Sequence, residues 1–127
     1  MPTTVGQRLP PISLTILDGE SASEAFEIPD GLWEISVFIP NTVTGDGGTI
    51  TFLTLEGSID GENFFAIKQG EVIAAFIVNA GVNTVSSYNT TLTPAGVTQY
   101  ARLRSVDVDG LAVNADGDIP LKVYLSK

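Results

Sequence analysis

Residues 49–68, T-I-T-F-L-T-L-E-G-S-I-D-G-E-N-F-F-A-I-K, carry the pattern that most restricts what this chain can become. A run of β-branched, aromatic and Leu side chains gives way to a turn signal and then to a second short apolar run, the pattern of two strands joined as a hairpin. Asp60-Gly61 is the expected turn, because Asp-Gly accepts the positive φ angles of tight hairpins, and Glu62 and Asn63 also allow a four-residue loop. Thr51, Leu53 and Leu55 fall on one face, Ile50 and Phe52 on the other. Apolar groups on both faces place at least the first half of this strand inside a packed sandwich. The other strands must then be arranged around it.

The rest of the chain supplies them. Ile12, Leu14 and Ile16 alternate over 12–17, and Asp18-Gly19 ends that run. A short strand is expected at 25–28, before the turn Pro29-Asp30-Gly31. Residues 32–39 put Trp33, Ile35, Val37 and Ile39 on one side, with Trp33 either an anchor of the core or a binding platform. Pro40 stops that strand and 41–48 form a Gly-rich exposed loop. Residues 72–78, V-I-A-A-F-I-V, are short and β-branched enough to be one strand. A weak strand at 84–88 and a loop at 89–96 follow, then a clear strand over 99–108, with Tyr100, Arg102, Arg104 and Val106 facing away from Ala101 and Leu103. Ile119, Leu121, Val123 and Leu125 share one face of the last strand, which Pro120 forces to begin there or to lie at an edge. Seven to nine short strands without helical period predict an all-β fold, a single antiparallel β-sandwich. A jelly roll with its terminal strands side by side fits best, and an immunoglobulin-like sandwich is the alternative.

The 127 residues suit one domain, residues 12–127, preceded by an extended N-terminal arm, residues 1–11. M-P-T-T-V-G-Q-R-L-P-P holds three prolines and no acid, so it reads as a polyproline-like segment and not a core element. With Asp18 the first acid, Arg8 and the amino terminus make the arm locally positive. It either frays or docks on a neighbour. In the second case Val5, Arg8, Leu9, Pro10 and Pro11 are the candidate contact residues.

Chemistry is restricted by what is missing. Without His or Cys the usual nucleophile-base pairs and thiolate metal sites cannot be built. Carboxylate pairs remain open, since they assemble in space. Asp107-Val-Asp-Gly and Asn114-Ala-Asp-Gly-Asp cluster oxygen ligands but lack the glycine placement and terminal Glu of a calcium loop, so turn formation is the expected role and a weak calcium site the alternative. No catalytic residue, metal or cofactor is assigned. A net charge of −9 repels nucleic acid and anionic membranes. No run approaches the length of a membrane span and residues 1–11 lack a signal-peptide centre, so a soluble protein is expected.

Residues 55–65, L-E-G-S-I-D-G-E-N-F-F, taken with Y-A-R-L-R-S at 100–105, resemble a pairing found in small β-sandwich structural proteins of tailed bacteriophages, above all head decoration or cement proteins. There a GSxDGxxF/Y hairpin is followed by a YxRLR strand, and the chain ends in an alternating apolar strand, as 119–125 does here. Discoidin-like sugar- or lipid-binding modules carry a similar local pair, with Trp where this chain has Phe64-Phe65. The chain departs from both in the proline-bearing arm and in loop 41–48. The resemblance implies a non-enzymatic viral structural protein, a capsid decoration protein on the outer surface of the virion. It also implies a homo-trimer on a threefold axis, with the major capsid protein as partner. A glycan-binding module, or a tail, neck or fibre protein, is the alternative. Physically, the motif has a structural reading too: Asp60-Gly61 sets the hairpin, and Arg102 and Arg104 can pair with Glu56 if the two strands are neighbours.

Overall fold

Strict alternation in the sequence becomes strict alternation in burial. The computed structural model describes residues 9–29, 34–69, 72–79, 81–88 and 100–126. Its last strand buries Ile119, Leu121, Val123 and Leu125 and exposes Pro120, Lys122 and Tyr124. In chain order the strands are β1 (Ile12–Ile16), β2 (Phe26–Glu27), β3 (Glu34–Ile39), β4 (Phe52–Ser58), β5 (Phe65–Ala66), β6 (Lys68–Gln69), β7 (Val72–Ile73), β8 (Ala75–Ile77), β9 (Thr84–Tyr88), β10 (Tyr100–Val106) and β11 (Ile119–Ser126). One sheet runs β1-β11-β3-β9, the other β2-β10-β4-β5 with β8 also against β4, and β6 and β7 form a pair of their own. All pairings are antiparallel.

The stretch after the 59–64 loop departs from the expected single strand at 72–78. Ala66 lies opposite Glu56 and Ala75 opposite Thr54. Between them, Leu55 donates its N–H to Ala74 O (3.0 Å) and accepts one from Ile67 (3.1 Å), while Ala74 N–H donates to Ile67 O (2.8 Å). Residues 65–67 and 74–77 therefore line β4 as one interrupted strand, with the β6-β7 pair inserted between Ile67 and Ala74. Ala74 breaks the apolar run because its neighbours on either side have different partners, β6 before it and β4 after it. With 65–77 taken as one strand, each sheet has four. In chain order they run 1-8-3-6 and 2-7-4-5, which is the jelly-roll order, with terminal strands β1 and β11 paired as expected.

The core fills the space between the sheets. Ile35, Val37 and Ile39 from β3 meet Leu53 and Leu55 from β4, Phe76 from β8, and Ala101 and Leu103 from β10, all fully buried. Each large member contributes about 1.5–3 kcal/mol by leaving water. Of the two apolar residues expected on the opposite face, Ile50 is buried in the core just before β4 and Phe52 is half-buried, so the face is covered at its start and open along β4. Pro120 sits past the last β11 residue that pairs with β3, Lys122, and interrupts no bond to that strand. Residues 84–88, weak in sequence, form a full strand along β3. Trp33, the turn at Asp30-Gly31 and the loop at 89–96 lie outside the described residues.

Two buried serines, not singled out by the alternation, tie β10 to its flanks. Ser23 Oγ accepts the Leu103 N–H (3.0 Å) and donates to Glu24 O (2.9 Å), so residues 21–23 act as a further rung beside β10. Ser105 Oγ donates to Val113 O at 2.7 Å. Replacing Ser105 by Ala removes that donor from a fully buried position and should cost about 1–2 kcal/mol in chemical denaturation.

Candidate functional site

The two halves of the sequence motif meet on the outer face of the second sheet. β4 and β10 pair over their whole lengths, with Arg102 directly opposite Glu56 and Arg104 opposite Thr54. Glu56 thus lies within reach of both guanidiniums: Arg102 Nε is 2.7 Å from Oε1 and Arg104 Nε 3.0 Å from Oε2. The neighbourhood on which the ion pair was made conditional is present. Arg104 Nη1 also donates to Ser21 Oγ (2.9 Å), and Arg102 stacks 3.8 Å above the Phe64 ring. One shared carboxylate offsets part of the repulsion between two like charges on one strand face, and since all three side chains keep some exposure, each pair contributes at most about 1 kcal/mol.

The turn is longer than a tight hairpin because Asp60 organises it as a cap. With β4 ending at Ser58 and β5 starting at Phe65, six residues connect them in place of the two or four expected. Asp60 Oδ1 accepts the N–H groups of Glu62 (2.8 Å) and Asn63 (2.9 Å), and Oδ2 accepts Asn63 Nδ2 (2.8 Å). Ser58 Oγ takes the N–H of Gly61 (2.8 Å) and donates to Asp60. Gly61 has φ +80°, as its placement in the turn requires. The Asn63 N–H first, then those of Glu62 and the Asn63 side chain, with the Ser58 hydroxyl, hold the Asp60 carboxyl well below the usual carboxylate range. The polar groups of L-E-G-S-I-D-G-E-N are therefore engaged in building the hairpin.

The Asp-rich loops are turns. Asp107 Oδ1 accepts the N–H of Asp109 (2.9 Å) and of Leu111 (3.0 Å). Asp118 Oδ1 accepts Asp18 N–H, and Asp18 Oδ1 accepts Gly117 N–H. Three loops are knitted here: Gly19 N–H donates to Ala115 O, Asp116 N–H to Thr44 O and Asp46 N–H to Asn114 O, each at 2.9 Å. Gly45 is required in this knot, because a Cβ there would stand 2.3 Å from Gly48 O. Among the described residues no group of three or more acids is arranged to hold a metal ion.

Of the five candidate contact residues, Val5 and Arg8 lie outside the described residues. Pro10 and Pro11 are exposed. Leu9 differs from the expectation of an uncovered side chain: its N–H donates to Leu125 O (3.1 Å) and its side chain packs against the core. The end of the arm is thereby seated on the sandwich.

Two further surfaces were not visible in the sequence, because each is assembled from segments distant along the chain. A polar cleft of about 510 Å³ is lined by Thr15, Glu20, Ser21, Ser23, Glu24 and Arg102, among others. An apolar groove of about 370 Å³ crosses the outer face of β4, floored by Phe52, Ala66 and Ala75 and walled by Ile73 and Val108. No helix among the described residues is long and apolar enough to cross a membrane.

Gly61→Val should destabilise the fold by about 1–3 kcal/mol in thermal melting, through backbone strain at positive φ, since a Cβ would meet Tyr100 only at ordinary contact distance. Asp60 gives a pH signature. Its folded value is depressed, so its contribution is complete above the ordinary value of 3.8 and is lost as pH falls below it. The difference in melting temperature between wild type and Asp60→Ala should therefore be constant from pH 7 to pH 5 and shrink from pH 4 to pH 2. Comparison with protein-family models, with curated proteins and with solved structures gave no match, so the functional reading rests on the residues and geometry above.

Proposed function

We propose that the protein is a non-enzymatic structural component of a bacteriophage particle, a decoration protein that binds the outer surface of the head and stabilises it. The observation that carries this is the jelly-roll strand order, 1-8-3-6 over 2-7-4-5, an order that recurs in viral capsid and lectin domains. Fold alone is analogy. Added to it is the resemblance of the hairpin at 55–65 and the strand at 100–105, whose side chains serve each other across β4 and β10. The partner in this reading is the major capsid protein, the assembly a trimer on a threefold axis, and the arm the part that reaches across a boundary. Leu9 anchors its base, which leaves residues 1–8 to make the contact. A chain of net charge −9 has no use for nucleic acid as a partner.

One observation favours the second reading, a glycan-binding module on a tail or fibre. The polar cleft offers Glu20, Glu24, Ser21 and Arg102 as hydrogen-bonding groups for hydroxyls. It lacks an aromatic ring among its lining residues, the usual platform for a sugar face, and Glu24 is already spent on the Thr15 N–H at 2.7 Å. The decoration reading is therefore the stronger.

The test compares full-length protein with a form lacking residues 1–8. Unfolding free energies should agree to within about 0.5 kcal/mol, because Leu9 and its contacts are retained. Occupancy on undecorated phage heads, read by electron microscopy, should fall sharply for the shortened form. Equal occupancy would refute the role of the arm, and absence of full-length protein from heads together with glycan-array binding would favour the second reading.

A further inference from the structure

We propose that the apolar groove on the outer face of β4 receives residues 1–8 of a second copy of this chain, joining copies head to tail. Ala66 and Ala75 keep the floor of the groove low, Phe52 gives it an apolar base, and its two walls rise from the inserted β6-β7 pair (Ile73) and from the loop after β10 (Val108 and Gly110). Ile73, Ile77 and Val108 are 43, 57 and 71% exposed around it. Aliphatic side chains gathered in this way on a sheet face over which the described residues lay no further layer mark a contact surface.

Charge selects the occupant. Asp109 lines the groove, and the loops at that end of the sandwich, residues 17–20, 43–48 and 107–118, contain seven acids and neither Lys nor Arg. At the other end of the groove Glu56 is shared by Arg102 and Arg104, so the negative charge open to a cation lies at the Asp109 end. An apolar segment carrying positive charge fits; an acidic surface is repelled. Residues 1–8, M-P-T-T-V-G-Q-R, supply Val5 as the apolar anchor, Arg8 as the cation, and no acid. The bulk of another copy, at net −9 overall, does not fit.

The base of the arm lies on the other sheet, which favours the groove of a different copy. Leu9 is fixed by Leu125, at the end of β11 remote from the Asp-rich loops and in the sheet that does not carry the groove. Eight residues reach at most about 28 Å even when fully extended. Such a contact is heterologous, and it closes into a ring when the rotation between copies allows. The inference goes beyond the capsid reading, since a ring would form in solution without any head.

The experiment uses the shortened protein lacking residues 1–8, a synthetic peptide of residues 1–8 with a free amino terminus, and the groove variants Ile73→Glu and Val108→Glu, whose exposed positions leave the fold intact on melting. Full-length protein should scatter light as an oligomer and the shortened form as a monomer. The peptide should bind the shortened form by calorimetry, more weakly in high salt, and about tenfold or more weakly when either groove substitution or Val5→Asp in the peptide is introduced. Absence of peptide binding, or binding indifferent to both groove substitutions, overturns the proposal. Head occupancy by a protein that stays monomeric would sink this inference and leave the decoration reading standing. Rings that ignore heads would do the reverse.

Discussion

The pairing of β4 with β10 is the constraint on which the rest depends. Seven consecutive residues of each strand face each other, from Phe52 opposite Val106 to Ser58 opposite Tyr100. This register sends Leu53, Leu55, Ala101 and Leu103 inward and sets Glu56 against two arginines outside. A slip by one residue would turn four core side chains to solvent and bury the charged face, so every neighbour of these strands inherits its position from this pairing. The Asp60 cap then fixes where the chain may return, and Ile67 and Ala74 complete the hydrogen bonds of Leu55 on the other side.

Much of this was legible in the sequence because alternation is a local signal. Ile35, Val37 and Ile39, and the four apolar residues of the last strand, could be assigned to the core from spacing alone, and the Glu56 pair could be stated conditionally. What escaped depends on partners that local sequence does not name. The run at 72–78 looks continuous, yet its first two residues pair with β6 and its later ones with β4. Ser23 and Ser105 resemble surface serines until a backbone donor or acceptor from another loop is placed beside them. The Asp-rich segments were readable as turns, whereas the fact that three loops share one knot was not. The apolar groove was hidden for the same reason: Phe52, Ile73 and Val108 come from three separate segments.

The base of the arm has a contact that composition could not name. Pro10 and Pro11 marked an extended segment expected to fray or to dock on a neighbour, and within it Leu9 finds a carbonyl and an apolar surface at the end of β11. An anchored base matters for affinity. It restricts the directions in which the preceding residues can search, so less freedom is lost when they dock.

The hairpin that leaves the sheet at Ile67 and re-enters at Ala74 has one more consequence. A straight edge strand over residues 65–77 would offer an uninterrupted row of backbone donors and acceptors to any similar edge, which is how sandwich domains held close together zip into fibrils. Here the row is cut in its middle by two short strands that satisfy each other, Lys68 with Ile73 and Gln69 with Val72. The interruption obstructs indiscriminate sheet-to-sheet growth along this side even when many copies are crowded together.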